Sequence, residues 1–178
     1  MLDVGCGFGN NLMPFLVAGC DCYGVEISEK MAVLAEQILK QRGFEKVKII
    51  KGENTNLNFP DETFDLIISN NTLHYEDSEE RIELAIREYY RVLRPGGCLY
   101  LMTVGPEHDI YARSKIVGPN QFIIKNWDFR NGEKYFYFSG IKQLEYYLGK
   151  VFTNMEFGRV RENLMKLNLD FLISYCKK

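Results

Sequence analysis

The stretch LDVGCGFGNN near the start of the chain holds the residue types whose spacing is most informative about chemistry. It places an acid at Asp3 and glycines at Gly5, Gly7 and Gly9. Because glycine has no side chain, a ligand can approach the backbone of such a turn closely. Turns that bind dinucleotides follow the spacing G-x-G-x-x-G. The third glycine of that pattern falls on Asn10, so the dinucleotide pattern is not matched.

The carboxylate of Asp3 changes which ligand this turn favours. At a few ångströms in a partly shielded site, it would repel a pyrophosphate by about 1 kcal/mol or more. The same negative charge attracts a cation. A ligand that combines an ammonium, a sulfonium and an adenosine suits the turn better than a dinucleotide does, and S-adenosylmethionine carries all three groups.

Alternating strands and helices are predicted to position this turn. Apolar runs bounded by turn residues predict strands, and apolar residues at helical spacing, such as Met31, Leu34, Ala35 and Ile38, predict helices. Continuous apolar strands between helices indicate a buried parallel sheet. The predicted strands are residues 2–4, 20–26, 47–50, 64–69 and 98–103; the predicted helices are residues 11–18, capped by Asn10 or Asn11, a segment from Ser28 to Gly43, and a segment from Ser78 to Leu93.

The C-terminal half departs from this alternation. Residues 104–139 form a long aromatic-rich insertion, a helix is predicted over residues 141–151, and strands are predicted over residues 155–162 and 169–176. The loop of about six residues between those strands predicts an antiparallel hairpin at a sheet edge. The predicted fold is therefore α/β, a doubly wound Rossmann-like sheet that is mostly parallel, with an antiparallel C-terminal strand hairpin.

Four segments in this order resemble the successive motifs of one enzyme family. They are LDVGCGFGNN, GVEIS, LNFPDETFDLIISNNTLHY and RVLRPGGCLYL. Together they resemble the class I S-adenosylmethionine-dependent methyltransferases, in the branch that acts on small molecules. The resemblance runs from Leu2 to about Leu101, and it implies S-adenosylmethionine as the cofactor. The stretch RPGG, residues 94–97, is expected to be a structural turn.

The resemblance implies a set of residues that bind this cofactor. Its methionine end would lie on the glycine turn, its ribose on an acid that ends the second strand, and its adenine on residues after the second and third strands. Groups after the fourth strand would lie near the sulfonium. In that order, the residues are Asp3, Gly5, Gly7 and Gly9; Glu26; Ile27, Met31, Glu53 and Asn54; and Asn70 and Asn71.

Several of these residues also have a purely structural interpretation. Met31 equally fits the apolar stripe of its helix. Glu26 also fits a solvated acid at a strand end. Glu53 stands where the family usually has Asp, so its extra methylene changes the expected contact, and it also fits an exposed acid.

His74 and Tyr75 follow the fourth strand, where the resembled family often has aromatic or histidine residues beside the methyl acceptor. His74 is the candidate catalytic residue, because an imidazole suits a general base near neutral pH. The alternative is a histidine that fixes the loop by hydrogen bonds, and the sequence weighs the two equally. His108 lies in the polar segment GPEHD and is expected to be exposed.

The chain is expected to form one domain over residues 1–178, with the insertion at about 104–139. The aromatic residues of the insertion, Trp127 and Phe129 among them, either cover the acceptor or roof the core. Family members usually carry helices before the first strand that cover the cofactor. Met1 already lies at that strand, so these helices are expected to be absent, through truncation or because the insertion replaces them.

Composition narrows the functional classes. The net charge of −2 disfavours a nucleic-acid surface, and no apolar run reaches the length of a membrane span. The five cysteines are an odd number with irregular spacing, which favours reduced thiols in the cytoplasm. Cys20 and Cys22 lack a second pair of ligands and are expected to be buried thiols, so no metal site is predicted.

Three hypotheses for function follow. The first is an S-adenosylmethionine-dependent methyltransferase that transfers a methyl group to a small-molecule acceptor by in-line displacement. The second is a module or partner subunit that binds the same cofactor without catalysis. The third is a nicotinamide oxidoreductase, against which Asp3 and Asn10 argue. The attacking atom of the acceptor and the oligomeric state stay open.

Overall fold

The protein is described by a computed structural model covering residues 1–125 and 131–178. Helices separate the first five strands along the chain, except the third and fourth, which a loop connects, and the later strands follow one another more closely. The strands are β1 Leu2–Val4, β2 Tyr23–Glu26, β3 Lys48–Lys51, β4 Phe64–Asn70, β5 Leu93–Val104, β6 Ser114–Gly118, β7 Gln121–Ile124, β8 Lys134–Phe136, β9 Asn154–Leu164 and β10 Leu167–Lys177. The helices are α1 Met13–Val17, α2 Glu29–Gln41, α3 Glu79–Val92, α4 Asp109–Ala112 and α5 Ile141–Leu148.

Within the described residues, seven strands form the main sheet in the order β3-β2-β1-β4-β5-β10-β9. The strands from β1 to β5 run parallel, whereas β10 pairs antiparallel with both β5 and β9. The chain leaves β1 toward one edge through β2 and β3, and returns to the other side of β1 with β4. This topology confirms the predicted doubly wound α/β fold and its antiparallel hairpin. It also places a switch in strand order beside the carboxyl end of β1.

Helices cover both faces of the sheet. In β3, Ile49 packs with the apolar cluster of α2, and its neighbour Ile50 packs against the larger cluster that includes α3 and α5. Successive residues of a strand point to opposite faces, so these two clusters lie on opposite sides of the sheet. In the described ranges, no helix has the length and apolar character that a membrane span requires.

Two details of the first helices correct the sequence prediction. A 3₁₀ turn over Asn10–Leu12 precedes α1, and neither asparagine caps a helix with its side chain. The Asn11 amide donates instead to Asp3, 3.4 Å away. In α2 the buried face consists of Ala32, Ala35 and Leu39, one position away from most of the predicted stripe, because the small alanine side chains let the helix approach the sheet closely.

The strand boundaries differ in three places. β2 begins at Tyr23, so Cys20 is exposed, although Cys22 is buried as expected. The RPGG stretch lies within the bounds of β5 as an irregularity, and the backbone amide of Gly96 donates to the carbonyl of Lys178. The predicted loop of about six residues between β9 and β10 is a tight turn of two residues, 165–166.

The described part of the insertion forms secondary structure of its own. It contains α4 and an antiparallel sheet in the order β6-β7-β8, and Phe122 and Tyr135 are buried in a cluster of their own. His108 is buried rather than exposed, because its ring packs against Phe171 of β10; its imidazole Nδ1 also accepts a hydrogen bond from the amide of Ile110 at the start of α4. Trp127 and Phe129 lie outside the described residues.

Two side chains of α3 test which face of the helix contributes to the free energy of unfolding by packing. Ile86 is 1% exposed and Leu84 is 49% exposed on the same helix. We expect Ile86→Ala to lower the free energy of unfolding by about 2–5 kcal/mol, because it removes buried methyl groups and leaves a cavity. Leu84→Ala, the matched control, is expected to change it by less than about 0.5 kcal/mol. Urea denaturation measures both, and equal losses would contradict this packing.

Candidate functional site

A cleft of about 330 Å³ opens where the strands beside the switch in strand order end. Gly5 follows β1, Glu26 ends β2, Gly52 follows β3 and Asn71 follows β4, and all four line the cleft. Parallel strands bring their carboxyl ends to one edge, which explains why residues so distant in sequence meet there. Of the other predicted site residues, Ile27, Glu53 and Asn54 also line it.

The first turn of the chain borders the cleft, which its residue Gly5 lines. The backbone amides of Gly5 and Cys6 both donate to the carbonyl of Val25, which fixes the turn against β2. Gly5 has a φ of 71°, and a Cβ at this position would overlap the side chain of Thr72. Gly7 has a φ of 52° but meets no neighbour, so its exposed face leaves the backbone open to a ligand.

Thr72 ties the end of β4 to the end of β1. Its hydroxyl lies 3.0 Å from the carbonyl of Val4 and 3.1 Å from that of Asn70. The side chain occupies the space that a Cβ at Gly5 would need. The close approach of these two strand ends therefore depends on a glycine at position 5.

Asp3 is fully buried beneath this turn. The Asn11 amide donates to its Oδ1, and Oδ2 has no hydrogen-bond partner among the described residues. Burial raises the pKa of this carboxyl to about 7, and the hydrogen bond from Asn11 opposes the rise. A carboxylate held in this way favours the approach of a cation, which would supply the missing partner.

Two more buried acceptors lie at the end of the adjacent strand. The side-chain oxygens of Asn70 and Asn71 have no hydrogen-bond partner in the described part of the chain. Val4 pairs with Ser69 in the parallel ladder between β1 and β4, which brings these residues close to the end of β1. Because buried acceptors are rarely left unsatisfied, the arrangement fits a ligand that brings N–H donors and positive charge.

Glu26 is held in place by backbone donors. The amide of Gly7 donates to its Oε2 at 3.2 Å, and the amide of Ser28 donates to its Oε1 at 3.1 Å. The hydroxyl of Ser28 also caps α2, which fixes the chain beyond the carboxylate. A carboxylate has about four acceptor sites, so each oxygen retains one for a hydroxyl donor of a ligand.

The cleft also carries a network of charged groups in which the predicted residue Glu53 is joined by Glu76 and Arg81, which were not predicted. The Arg81 Nε donates to the buried carboxylate of Glu76 at 2.6 Å, and its Nη2 lies 3.5 Å from Glu53. Burial raises the pKa of Glu76, and Arg81 opposes that rise. The side-chain amide of Asn54 donates to the carbonyl of Thr72 at 3.3 Å.

Other predicted residues lie around the cleft without lining it. Gly9, whose φ is 77°, precedes the 3₁₀ turn, and a Cβ there would press on Leu39. Met31 is partly buried in α2, and its amide donates to Ser28. His74 is 2% exposed, its Nδ1 lies 3.2 Å from the Thr103 hydroxyl, and its ring packs on Tyr75.

The sequence analysis missed Thr72, Glu76, Arg81 and Glu133 as residues of the cleft. Thr72 and Glu76 lie in the loop after β4, next to residues that the motif resemblance selected. The position of this loop at the end of β4 was the signal that could have identified them. Arg81 was assigned only to its helix. Glu133 comes from the insertion, and no local pattern indicates that this segment reaches the cleft.

Comparison with known proteins gives an independent view of the same residues. The family model described as "Methyltransferase domain" matches residues 2–101. Norajmaline N-methyltransferase of Rauvolfia serpentina is 32% identical over 58% of this chain, which spans 35% of the relative. Probable tRNA methyltransferase 9B of Mus musculus is 36% identical over 56% of this chain, which spans 20% of that protein.

A crystal structure of a SAM-dependent methyltransferase from Methanosarcina mazei has the same fold. It superposes with a TM-score of 0.82 and 22% identity, covering 99% of this chain and 91% of that chain. The curated relatives are longer proteins, and this chain spans less than half of the length of each of the two compared above.

The buried Asp3 carboxyl gives a test that needs no ligand. Its folded pKa of about 7 exceeds the value of about 3.9 that an aspartate has in an unfolded chain, so the folded state holds this proton to a higher pH than the unfolded state does. The contribution of Asp3 to stability therefore falls as the pH rises from about 4 to about 7. We expect Asp3→Asn to raise the free energy of unfolding at pH 8 by on the order of 3 kcal/mol, and to have little effect near pH 4.

Urea denaturation across this pH range measures the difference between variant and parent. Asp21→Asn removes the same charge from an exposed side chain and serves as the control. A difference between Asp3→Asn and the parent that does not grow with pH would contradict the buried, cation-free carboxylate.

Proposed function

The chain belongs to the methyltransferase-domain family of class I S-adenosylmethionine-dependent enzymes, and we propose that it transfers a methyl group to a small-molecule acceptor by in-line displacement. S-adenosylmethionine is its cofactor. The observation that carries the proposal is the group of buried acceptors without partners on Asp3, Asn70 and Asn71, at the ends of adjacent strands. A ligand with an ammonium group beside a positive sulfur meets that need.

In this proposal, different residues around the cleft bind different parts of the cofactor. Asp3 and the two asparagine side chains take the ammonium of the methionine part, and the open backbone at Gly7 lies against it. Glu26 accepts from the ribose hydroxyls with the acceptor sites that its backbone donors leave free. The loop after β3, with Glu53, lies at the purine. When bound, the cofactor supplies an electrophilic methyl group on a sulfonium.

The electrostatics of the chain's own residues favour a cation in this position. A carboxyl whose pKa is about 7 is only partly ionised at neutral pH in the free protein. A cation beside Asp3 stabilises its ionised form, so binding lowers the pKa and releases a proton. The same burial that makes the free carboxylate unfavourable strengthens its attraction to the bound ligand.

A second hollow adjoins the cofactor cleft and is the proposed acceptor site. It shares Tyr75, Arg81 and Glu133 with the cleft and extends to Asp77 and Tyr135. Glu133 and Tyr135 belong to the insertion, so we propose that the described residues of the insertion form the acceptor side of a single domain. Positioning donor and acceptor is the main contribution that such a site makes to an in-line displacement.

The choice of a small molecule as acceptor rests on two observations. The net charge of −2 gives no general attraction for a polyanion. One relative methylates norajmaline, as its name states, whereas another is named for tRNA. Transfer RNA therefore belongs in any panel of acceptors used as a test.

Cofactor binding tests the first half of the proposal. We expect isothermal titration to detect S-adenosylhomocysteine binding to the parent chain, and Glu26→Gln to weaken it about 10- to 100-fold, because a hydrogen bond to a charged acceptor is lost. Glu29→Gln removes an exposed acid three residues away and is the control. Equal affinity in the parent and in Glu26→Gln would show that Glu26 does not bind the ribose.

Turnover tests the second half. Release of S-adenosylhomocysteine is followed over a panel of amines, alcohols, carboxylic acids, thiols and tRNA. Sustained release with a small molecule, but not with tRNA, is the expected result. Binding without release for any acceptor would instead support a non-catalytic module.

The role of His74 stays a prediction with two alternatives, a general base or a histidine that fixes its loop, and its burial favours the second. A base in the reaction contributes about 10²- to 10⁴-fold to the rate. Because the ring is buried on Thr103 and Tyr75, we expect His74→Gln to lower kcat less than about 10-fold and to lower the free energy of unfolding by about 1–3 kcal/mol. A larger loss of kcat, with a changed pH profile and unchanged stability, would assign the base role to His74.

A further inference from the structure

Arg81 occupies an unfavourable position in its helix. It is the third residue of α3, after the cap Ser78, where the positive end of the helix dipole disfavours a cation. The guanidinium faces three carboxylates, with Glu76 at 2.6 Å, Glu53 at 3.5 Å and Asp77 at 3.9 Å. A cation in the first turn of a helix goes against the local preference, which indicates that its contacts outside the helix account for its position.

Glu76 is the anchor of this arrangement. Its side chain is 7% exposed, and a buried carboxylate requires partners. Those partners are the Nε of Arg81 and the side-chain amide of Asn54. The Nε of the Arg81 guanidinium is thereby held by Glu76, and its Nη2 is available to contact Glu53.

Glu53 lies at that mouth, with a side chain that is 55% exposed. An exposed glutamate has many rotamers, and fixing one of them has an entropic cost. The Nη2 of Arg81 lies 3.5 Å from the Glu53 carboxylate, so Arg81 selects where that carboxylate points. Asn54, the next residue, is tied to Thr72 after β4, which fixes the backbone beside it.

We propose that Arg81, anchored by Glu76, is a positioning residue that holds Glu53 so that the cleft selects a purine with an exocyclic amino group. This inference rests on the proposed function, which places the purine on the loop after β3. A carboxylate accepts a hydrogen bond from a 6-amino group and repels a 6-oxo oxygen. The selection is strong only while the carboxylate is held in one direction.

The test compares S-adenosylhomocysteine with its deaminated analogue, S-inosylhomocysteine, by isothermal titration. We expect the parent chain to prefer the amino form at least 10-fold, and Arg81→Gln to reduce that ratio to less than about 3-fold. Arg87→Gln is the matched control, because Arg87 lies on the same helix and is 65% exposed. It is expected to keep the ratio of the parent.

A ratio of affinities separates positioning from general damage, since a loosened fold weakens both ligands alike. Glu53→Gln is the second variant; its exposed side chain makes it safe for folding, and its amide can serve either purine, so its ratio is expected to approach one. An unchanged ratio in Arg81→Gln or in Glu53→Gln would overturn the inference and leave the proposed function standing. A parent chain that binds no S-adenosylhomocysteine would instead overturn the proposed function itself.

Discussion

The close approach of the ends of β1 and β4 is the constraint on which the cleft depends. Gly5 permits it, because a Cβ there would occupy the space of the Thr72 side chain. The hydroxyl of Thr72 then lies within hydrogen-bonding distance of the Val4 carbonyl and joins the two strand ends. Asp3 and Asn71, which are far apart in sequence, thereby come to the ends of neighbouring strands, and each has a buried oxygen with no hydrogen-bond partner among the described residues. The glycine turn is thus a packing requirement between strands as well as an opening for a ligand.

Asp3 is a residue whose burial lowers the stability of the free protein. A buried carboxylate with one oxygen unsatisfied is unfavourable in the free protein, and its pKa of about 7 expresses that energy. An asparagine in its place would relieve the strain on folding, but it would also remove the charge that attracts a cation. The Asn11 amide moderates the penalty without neutralising the charge. Sites that bind charged ligands commonly carry such local departures from the most stable choice.

The parallel half of the fold was predicted well from the sequence, because its strands and helices follow from local patterns of apolar residues and helix caps. Apolar runs identify the strands, and Ser28 identifies the start of α2. The doubly wound topology then determines which of these elements lie next to each other. The tight turn at residues 165–166 was missed because Met165 and Lys166 adopt left-handed φ values that favour glycine or asparagine, so no turn signal marks them. His108 was predicted to be exposed from its polar neighbours, whereas tertiary contacts bury it.

The candidate site divides in the same way between local and long-range information. Residues at strand ends, such as Glu26, could be predicted because motif spacing fixes their place, whereas Arg81 could not, because its role depends on carboxylates from two other loops. The extra methylene of Glu53, relative to the aspartate usual in the resembled family, gives its carboxylate a longer reach and more rotamers. Arg81 reaches it at 3.5 Å and Glu76 at 2.6 Å, so one buried acid steadies an exposed one through the cation between them. The longer reach of Glu53 therefore meets a cation on α3, and the two residues are best understood as one unit.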